Sequence, residues 1–261
     1  MSSLNEKLKL VTLKGLLIFI FFIFLINVVL GSLNIIQINN AWIYIFVIFY
    51  FIFKLREGFS SFKHDFLKVF TSESLKIISA IVILNVFISY GLLYLSDFIL
   101  NVFPNLNSIV MSSEYINNSL FVFYGVITTV FISPISEELI FRGVLLNRLN
   151  LIIPLDFSIV ITSILFASLH SFGSITAAFI FAVCMAVLYL RTDNILVPIF
   201  AHFLNNLIAE IIVIADAGNM LFTNNVVMLI MSVLAIISTF LILILIKKQW
   251  NILNIKIIEY F

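Results

Sequence analysis

"LLIFIFFIFLINVVLGSL", residues 16–33, carries no charge and only two polar side chains, Asn27 and Ser32. A helix that crosses the roughly 30 Å hydrocarbon core of a bilayer needs about 20 mostly apolar residues. This run meets that need, and its apolar residues surround the helix without leaving a water-facing stripe. The composition extends the same reading to the whole chain. Of 261 residues, 63% are hydrophobic and 10% are charged, and mean hydropathy is +1.23. A water-soluble domain has roughly a quarter charged residues, so this chain cannot cover a surface that faces water. The expected fold is all-α: a polytopic membrane protein with about eight transmembrane helices, forming one integral membrane domain over 1–261.

The eight apolar segments are Leu16–Leu33, Ile38–Phe53, Ile77–Leu95, Leu120–Ser136, Phe157–Phe172, Ile175–Leu190, Ile195–Ile214 and Val226–Ile246. Basic residues in short loops set orientation. Here they fall in every second loop. Lys7, Lys9 and Lys14 precede the first segment, and Lys54, Arg56, Lys63, Lys68 and Lys76 follow the second. Arg142 and Arg148 follow the fourth, Arg191 the sixth, and Lys247 with Lys248 the eighth. The intervening loops hold acids such as Asp97, Glu114 and Asp216, and no Lys or Arg. An even number of crossings with both termini cytoplasmic satisfies every loop. The first segment also has the layout of a signal peptide, but its removal would spoil this alternation. The A+T-rich flavour of the composition suits a bacterial cell membrane. Phe59, Phe62, Phe66 and Phe70 recur at helical spacing among charged residues, as in a helix lying on the membrane interface or in an ordinary connecting helix.

Net charge is +1, and no basic block interleaved with aromatics suggests nucleic acid. The one cysteine, Cys184, lies in an apolar run and forms no internal disulfide.

Ionisable groups within membrane segments are costly and usually mark function. Glu137, Glu138 and Arg142 close the fourth segment, and His170 closes the fifth. His202 and Asn206 lie within the seventh, with Glu210 towards its outer end. Glu138 and Arg142 are four apart and share a helix face, while Glu137 points about 100° away. One division has Arg142 holding Glu138 while Glu137 faces a cavity. His202 and Asn206 also share a face. Singly, each feature has a structural reading: an interfacial ion pair, a helix cap, or polar glue between helices. Two carboxylates, two imidazoles, an amide and a guanidinium on three helices are hard to explain as glue.

Such a set can hydrolyse an amide. A carboxylate in a low-dielectric pocket holds a proton more readily than in water and serves as a base near neutral pH. Glu137 with His170 can take a proton from water, and His202 with Asn206 can donate to a developing oxyanion. No activated nucleophile stands out. A second version uses a divalent metal, zinc, on Glu137, His170 and His202, since two histidines and a glutamate form a catalytic zinc set. The HExxH signature of zinc proteases and the GxGD signature of aspartyl intramembrane proteases are both missing. A transporter, or a non-catalytic membrane partner protein, is the alternative class. Pro134 and Pro198 could mark broken helices along a solute path, yet no paired repeat accompanies them.

Glu137-Glu138 with Arg142 reads EExxxR, Phe166 with His170 reads FxxxH, and His202 with Asn206 reads HxxxN. In order and spacing these resemble the CPBP family of intramembrane proteases, also called CAAX-protease and bacteriocin-processing or Abi proteins, which is related to the type II CAAX prenyl endopeptidase. The resemblance covers roughly 120–214, the protease core. It implies an intramembrane endopeptidase with a cavity open to the cytoplasm, acting on a peptide or membrane-protein substrate. By analogy Glu137 and His170 would activate water, His202 and Asn206 would hold the oxyanion, and Glu138 and Arg142 would shape the site. Family members are labelled metalloendopeptidases, and a metal-free glutamate mechanism has also been argued for them. Their bacterial roles include bacteriocin self-immunity, peptide maturation and regulation of surface proteins.

For these residues to meet, the helix bearing Glu137 must continue past Arg142 towards Arg148. That sets an expectation the fold can answer, with Pro154 then starting the next helix.

Overall fold

A computed structural model describes residues 3–33, 40–102, 125–170, 174–216, 221 and 224–258. Glu114, the start of the fourth apolar segment before residue 125, and residues 171–172 of the fifth lie outside them. Every element in the described residues is helical.

A short helix α1 (Ser3–Leu10) precedes α2 (Leu13–Ser32). Thr12 caps α2 by accepting from the Gly15 amide at 3.2 Å. Helix α3 (Asn40–Leu55) leads through a 3₁₀ turn (Arg56–Ser61) into α4 (Phe62–Val69). Then come α5 (Ser72–Val102) and a continuous helix α6 over 125–149. Helix α7 (Leu155–Ala167) follows, then α8 (Ile175–Thr192), α9 (Leu196–Ala215) and α10 (Asn225–Ile258). In the described residues, each of the eight apolar segments falls mostly within a helix. Five described stretches are long and apolar enough to cross a membrane: Leu13–Ser32, Ser72–Ser96, Ile175–Thr192, Leu196–Ala215 and Asn225–Asn254. The other three fall short for physical reasons. α3 has 16 residues and α7 has 13, and α6 carries Glu137, Glu138 and Arg142.

α6 does run past Arg142, and Pro154 does sit at the start of α7, as its N-cap. The path is not uniform. Two π-helical stretches, Thr128–Ile132 and Leu139–Leu146, flank a regular turn and a half, Ser133–Glu138. Pro134 accounts for the first. It lacks an N–H, and its ring crowds the carbonyl four residues back. Adding a residue to the turn before it relieves that clash.

α8 lies at the centre and packs against α5, α6, α7, α9 and α10. Ala178, Ala182 and Ala186, at successive helical turns, are all buried. Small residues let membrane helices approach closely, and this stripe brings α8 against the site. Cys184 is a buried free thiol on α8. α10 runs along α5 in the most extensive helix pair. Their crossing depends on Gly91: a Cβ there would overlap that of Ala235 and sit 3.1 Å from the Met231 carbonyl oxygen. Gly91→Leu should therefore lower stability by about 1–3 kcal/mol by forcing the helices apart. Thermal unfolding in detergent would show this, and Ala235→Gly should recover part of the loss.

The basic segments gather at one end of the bundle. The N-terminal helix docks there: Arg148 donates to the carbonyls of Val11 and Lys9, at 2.9 and 2.8 Å. Lys7 pairs with Glu57, Lys9 with Asp193, and Arg191 with Glu73 and Gln249. Asp193 ends α8 in the left-handed region at φ 49°, where its carboxylate also accepts from Asn5. At the same end Phe59, Phe62, Phe66 and Phe70 are partly exposed and pack ring to ring in series, tilted, stacked and then edge-on, with centroids 6.0, 6.0 and 5.1 Å apart. The last ring meets Phe200 of α9 at 5.1 Å.

Candidate active site

Glu138 is the hub of the site. It has no exposure to solvent, yet its Oε1 accepts from Arg142 Nη1 at 3.0 Å and from His202 Nδ1 at 2.9 Å. The expected Glu138–Arg142 pairing is present and buried. Arg142 is held on two further sides. Its Nη2 donates to the Ala182 carbonyl at 3.0 Å, and its guanidinium lies 4.7 Å from the centroid of Phe166, a cation–π distance.

Phe166, the aromatic of FxxxH, forms the wall that joins the groups. Its ring packs against His170 at 4.9 Å, Phe141 at 5.3 Å and His202 at 5.8 Å. Phe181 covers His202 from another side at 5.4 Å. Both imidazoles, the guanidinium and Glu138 therefore share one aromatic-lined pocket between α6, α7, α8 and α9.

Hydrogen bonds fix the tautomers. His170 Nδ1 lies 3.1 Å from the Phe166 carbonyl oxygen. A carbonyl only accepts, so Nδ1 carries the proton and Nε2 keeps its lone pair. The same bond caps the end of α7, as the structural reading of His170 expects, and leaves Nε2 uncommitted by it. His202 Nδ1 donates to the Glu138 carboxylate, which turns its Nε2 into the pocket, 4.0 Å from Glu137 Oε2. That is too long for a direct hydrogen bond and suits a single bridging water. Glu137 retains 12% side-chain exposure, in contrast to its neighbour. Glu137, His202 and Arg142 all lie within electrostatic reach of the His170 ring.

Asn206 follows His202 by one turn on α9, and its Nδ2 donates to the Thr129 carbonyl at 2.9 Å. Glu210 lies further along the same helix, ~12 Å beyond His202 at 1.5 Å per residue, outside the cluster. His64 is exposed beside Asp65.

The metal option fits poorly. Among the described residues, no three His, Cys, Asp or Glu side chains gather as ligands, so Glu137, His170 and His202 do not close into a zinc set. Each histidine spends Nδ1 on a carbonyl or carboxylate oxygen, which leaves Nε2 as its remaining ring nitrogen.

Three residues near the site escaped the sequence reading. Tyr44 of α3 places its hydroxyl against the Glu137 carboxylate, where α3 packs on Ser133–Glu138. A tyrosine in an apolar segment is too ordinary to signal this. Asn85 of α5 and Asn205 of α9 hydrogen-bond to each other at 2.9 Å. Asn85 did carry a signal, as the one amide within Ile77–Leu95.

Residues 119–208 match the family model Type II CAAX prenyl endopeptidase Rce1-like. The matched stretch is less than half of the chain and contains all three motifs, EExxxR, FxxxH and HxxxN. It agrees with the resemblance that those motifs carry. No curated protein and no solved structure gives a match. The Rce1-like match and the apolar helices together support a multi-pass membrane protease.

Proposed function

We propose that the chain is an intramembrane endopeptidase that hydrolyses peptide bonds with side-chain-activated water. The observation that carries this is the placement of His202, tied by Nδ1 to Glu138 and facing Glu137 across 4.0 Å with Nε2. A water between Glu137 and the imidazoles loses its proton to Glu137, assisted by the His170 Nε2 lone pair, as its oxygen attacks the scissile carbonyl carbon. The oxyanion is met by Asn206 Nδ2–H and His202 Nε2–H. His202 offers that second donor only as the imidazolium. On collapse the C–N bond breaks, and the proton held by Glu137 passes to the leaving amine.

The basic end of the bundle, on this reading, faces the cytoplasm of a bacterial cell, with both termini there. α3, α6 and α7 complete about eight crossings with the five long helices, and the stacked phenylalanines of α4 rest on the interface. The substrate is a peptide or membrane protein. Peptide maturation and bacteriocin self-immunity are the settings that suit such an enzyme.

The test is cleavage of a hydrophobic peptide library by the purified chain in lipid nanodiscs, with and without a strong chelator. Cleavage that survives the chelator is expected. Cleavage lost with the chelator and restored by zinc would replace side-chain water activation by a metal, and solute flux without cleavage would overturn the endopeptidase.

A further inference from the structure

Asn85, Asn205 and Asn206 form a chain of amides with one sense. Asn85 Nδ2 donates to Asn205 Oδ1 at 2.9 Å. Asn205 Nδ2 donates to Asn206 Oδ1 at 3.2 Å. Asn206 Nδ2 then donates to the Thr129 carbonyl at 2.9 Å. Asn85 is 3% exposed, and its own Oδ1 has no hydrogen-bond partner among the described residues. Burying an amide while leaving its acceptor unmet is destabilising. Its donor side is therefore the part the fold uses.

The far end of the chain is equally specific. In a regular helix the Ser133 amide would bond the Thr129 carbonyl. In the π-helical stretch it bonds the Thr128 carbonyl instead. That shift leaves the Thr129 oxygen free for Asn206, shared only with the Ser133 hydroxyl at 3.3 Å.

A primary carboxamide can turn over and exchange its oxygen and nitrogen. In Asn206 a donor stands on one side and an acceptor on the other, so a single orientation satisfies both. With one N–H spent on Thr129, the second remains for the pocket. We propose that Asn85 and Asn205 are positioning residues that lock the Asn206 carboxamide with an N–H, rather than its C=O, towards the developing oxyanion. This rests on the endopeptidase reading. A flipped Asn206 would present an acceptor to negative charge and oppose the step it is placed to assist.

Amides can also serve as glue between α5 and α9. The two roles separate in kinetics. Removing an oxyanion donor outright, as in Asn206→Ala, costs roughly 10²–10³-fold in kcat. Asn85→Leu removes the lock and keeps an apolar side chain of similar size. It should lower kcat by about tenfold, a fraction of the donor's full effect, with KM unchanged. In the Asn206→Ala background it should do nothing further, because its effect passes through that amide. Magnetic resonance of the protein with ¹⁵N-labelled asparagine gives an independent readout. The Asn206 side-chain amide signal should move in Asn85→Leu, while that of Asn147, held by Tyr189 and the Gly143 carbonyl, stays in place. An equal loss of kcat with and without Asn206, or an unmoved Asn206 signal, overturns the proposal. A wild-type chain that cleaves no peptide while the Asn206 signal still shifts overturns the endopeptidase reading, and the catalytic use of the lock with it.

Discussion

Glu137→Gln will lower kcat for peptide cleavage by about 10²–10⁴-fold, the usual worth of a general base, with the fold preserved. The amide has nearly the shape of the acid but cannot take a proton from water. Structure is spared because Glu137 carries little of it. Its side chain keeps 12% exposure and the nearest imidazole nitrogen is 4.0 Å away, while the amide oxygen of Gln can still accept from the Tyr44 hydroxyl. Glu138→Gln should behave differently. It weakens both bonds that Glu138 Oε1 accepts, from Arg142 and His202, and so costs stability as well as rate. Cleavage assays paired with thermal unfolding of the two variants will show the contrast. Equal loss of stability in both would mean that Glu137 is structural.

Arg142→Met will destabilise the protein by about 3–5 kcal/mol, the cost of leaving a buried partner charge uncompensated. Glu138 has no solvent to turn to. The variant also vacates the Ala182 carbonyl and the face of Phe166. The double variant Glu138→Leu/Arg142→Met removes both charges and should recover most of that stability, since an apolar pair often replaces a buried ion pair at little cost. It should remain inactive, because His202 would then have no acceptor to set its ring. Reversible unfolding of the single and double variants measures the coupling. A double variant no more stable than the single one would contradict this account.

The sequence made the main site groups legible because charge in lipid is expensive. Glu137, Glu138, Arg142, His170, His202 and Asn206 could be picked out as exceptions to an apolar background, and the 3.6-residue repeat placed Glu138 opposite Arg142. The continuation of α6 past Arg142 followed from the need for these groups to meet. Partners across helices were not legible. That His202 stands between the two glutamates could not be read from spacing along the chain. Periodicity gives the face of one helix and says nothing about which neighbour covers it. The two π-helical stretches were hidden as well. Pro134 announces a disturbance, but whether it breaks, kinks or widens the helix depends on contacts from elsewhere in the fold.

The surplus residue in Thr128–Ile132 also makes chain length a determinant of chemistry. Excising Val130, Phe131 or Ile132 would let the helix wind regularly, and because the widened turn sweeps about the same angle as a regular turn with one residue fewer, Glu137 and Glu138 would keep roughly their present azimuth. Pro134, which has no N–H to offer, would then press its ring against the Thr129 carbonyl, the oxygen that Asn206 now uses. A homologue could thus hold every signature letter and still lack the open carbonyl that holds its amide, so reading activity from such a sequence requires counting residues between Gly125 and Glu137 as well as naming them.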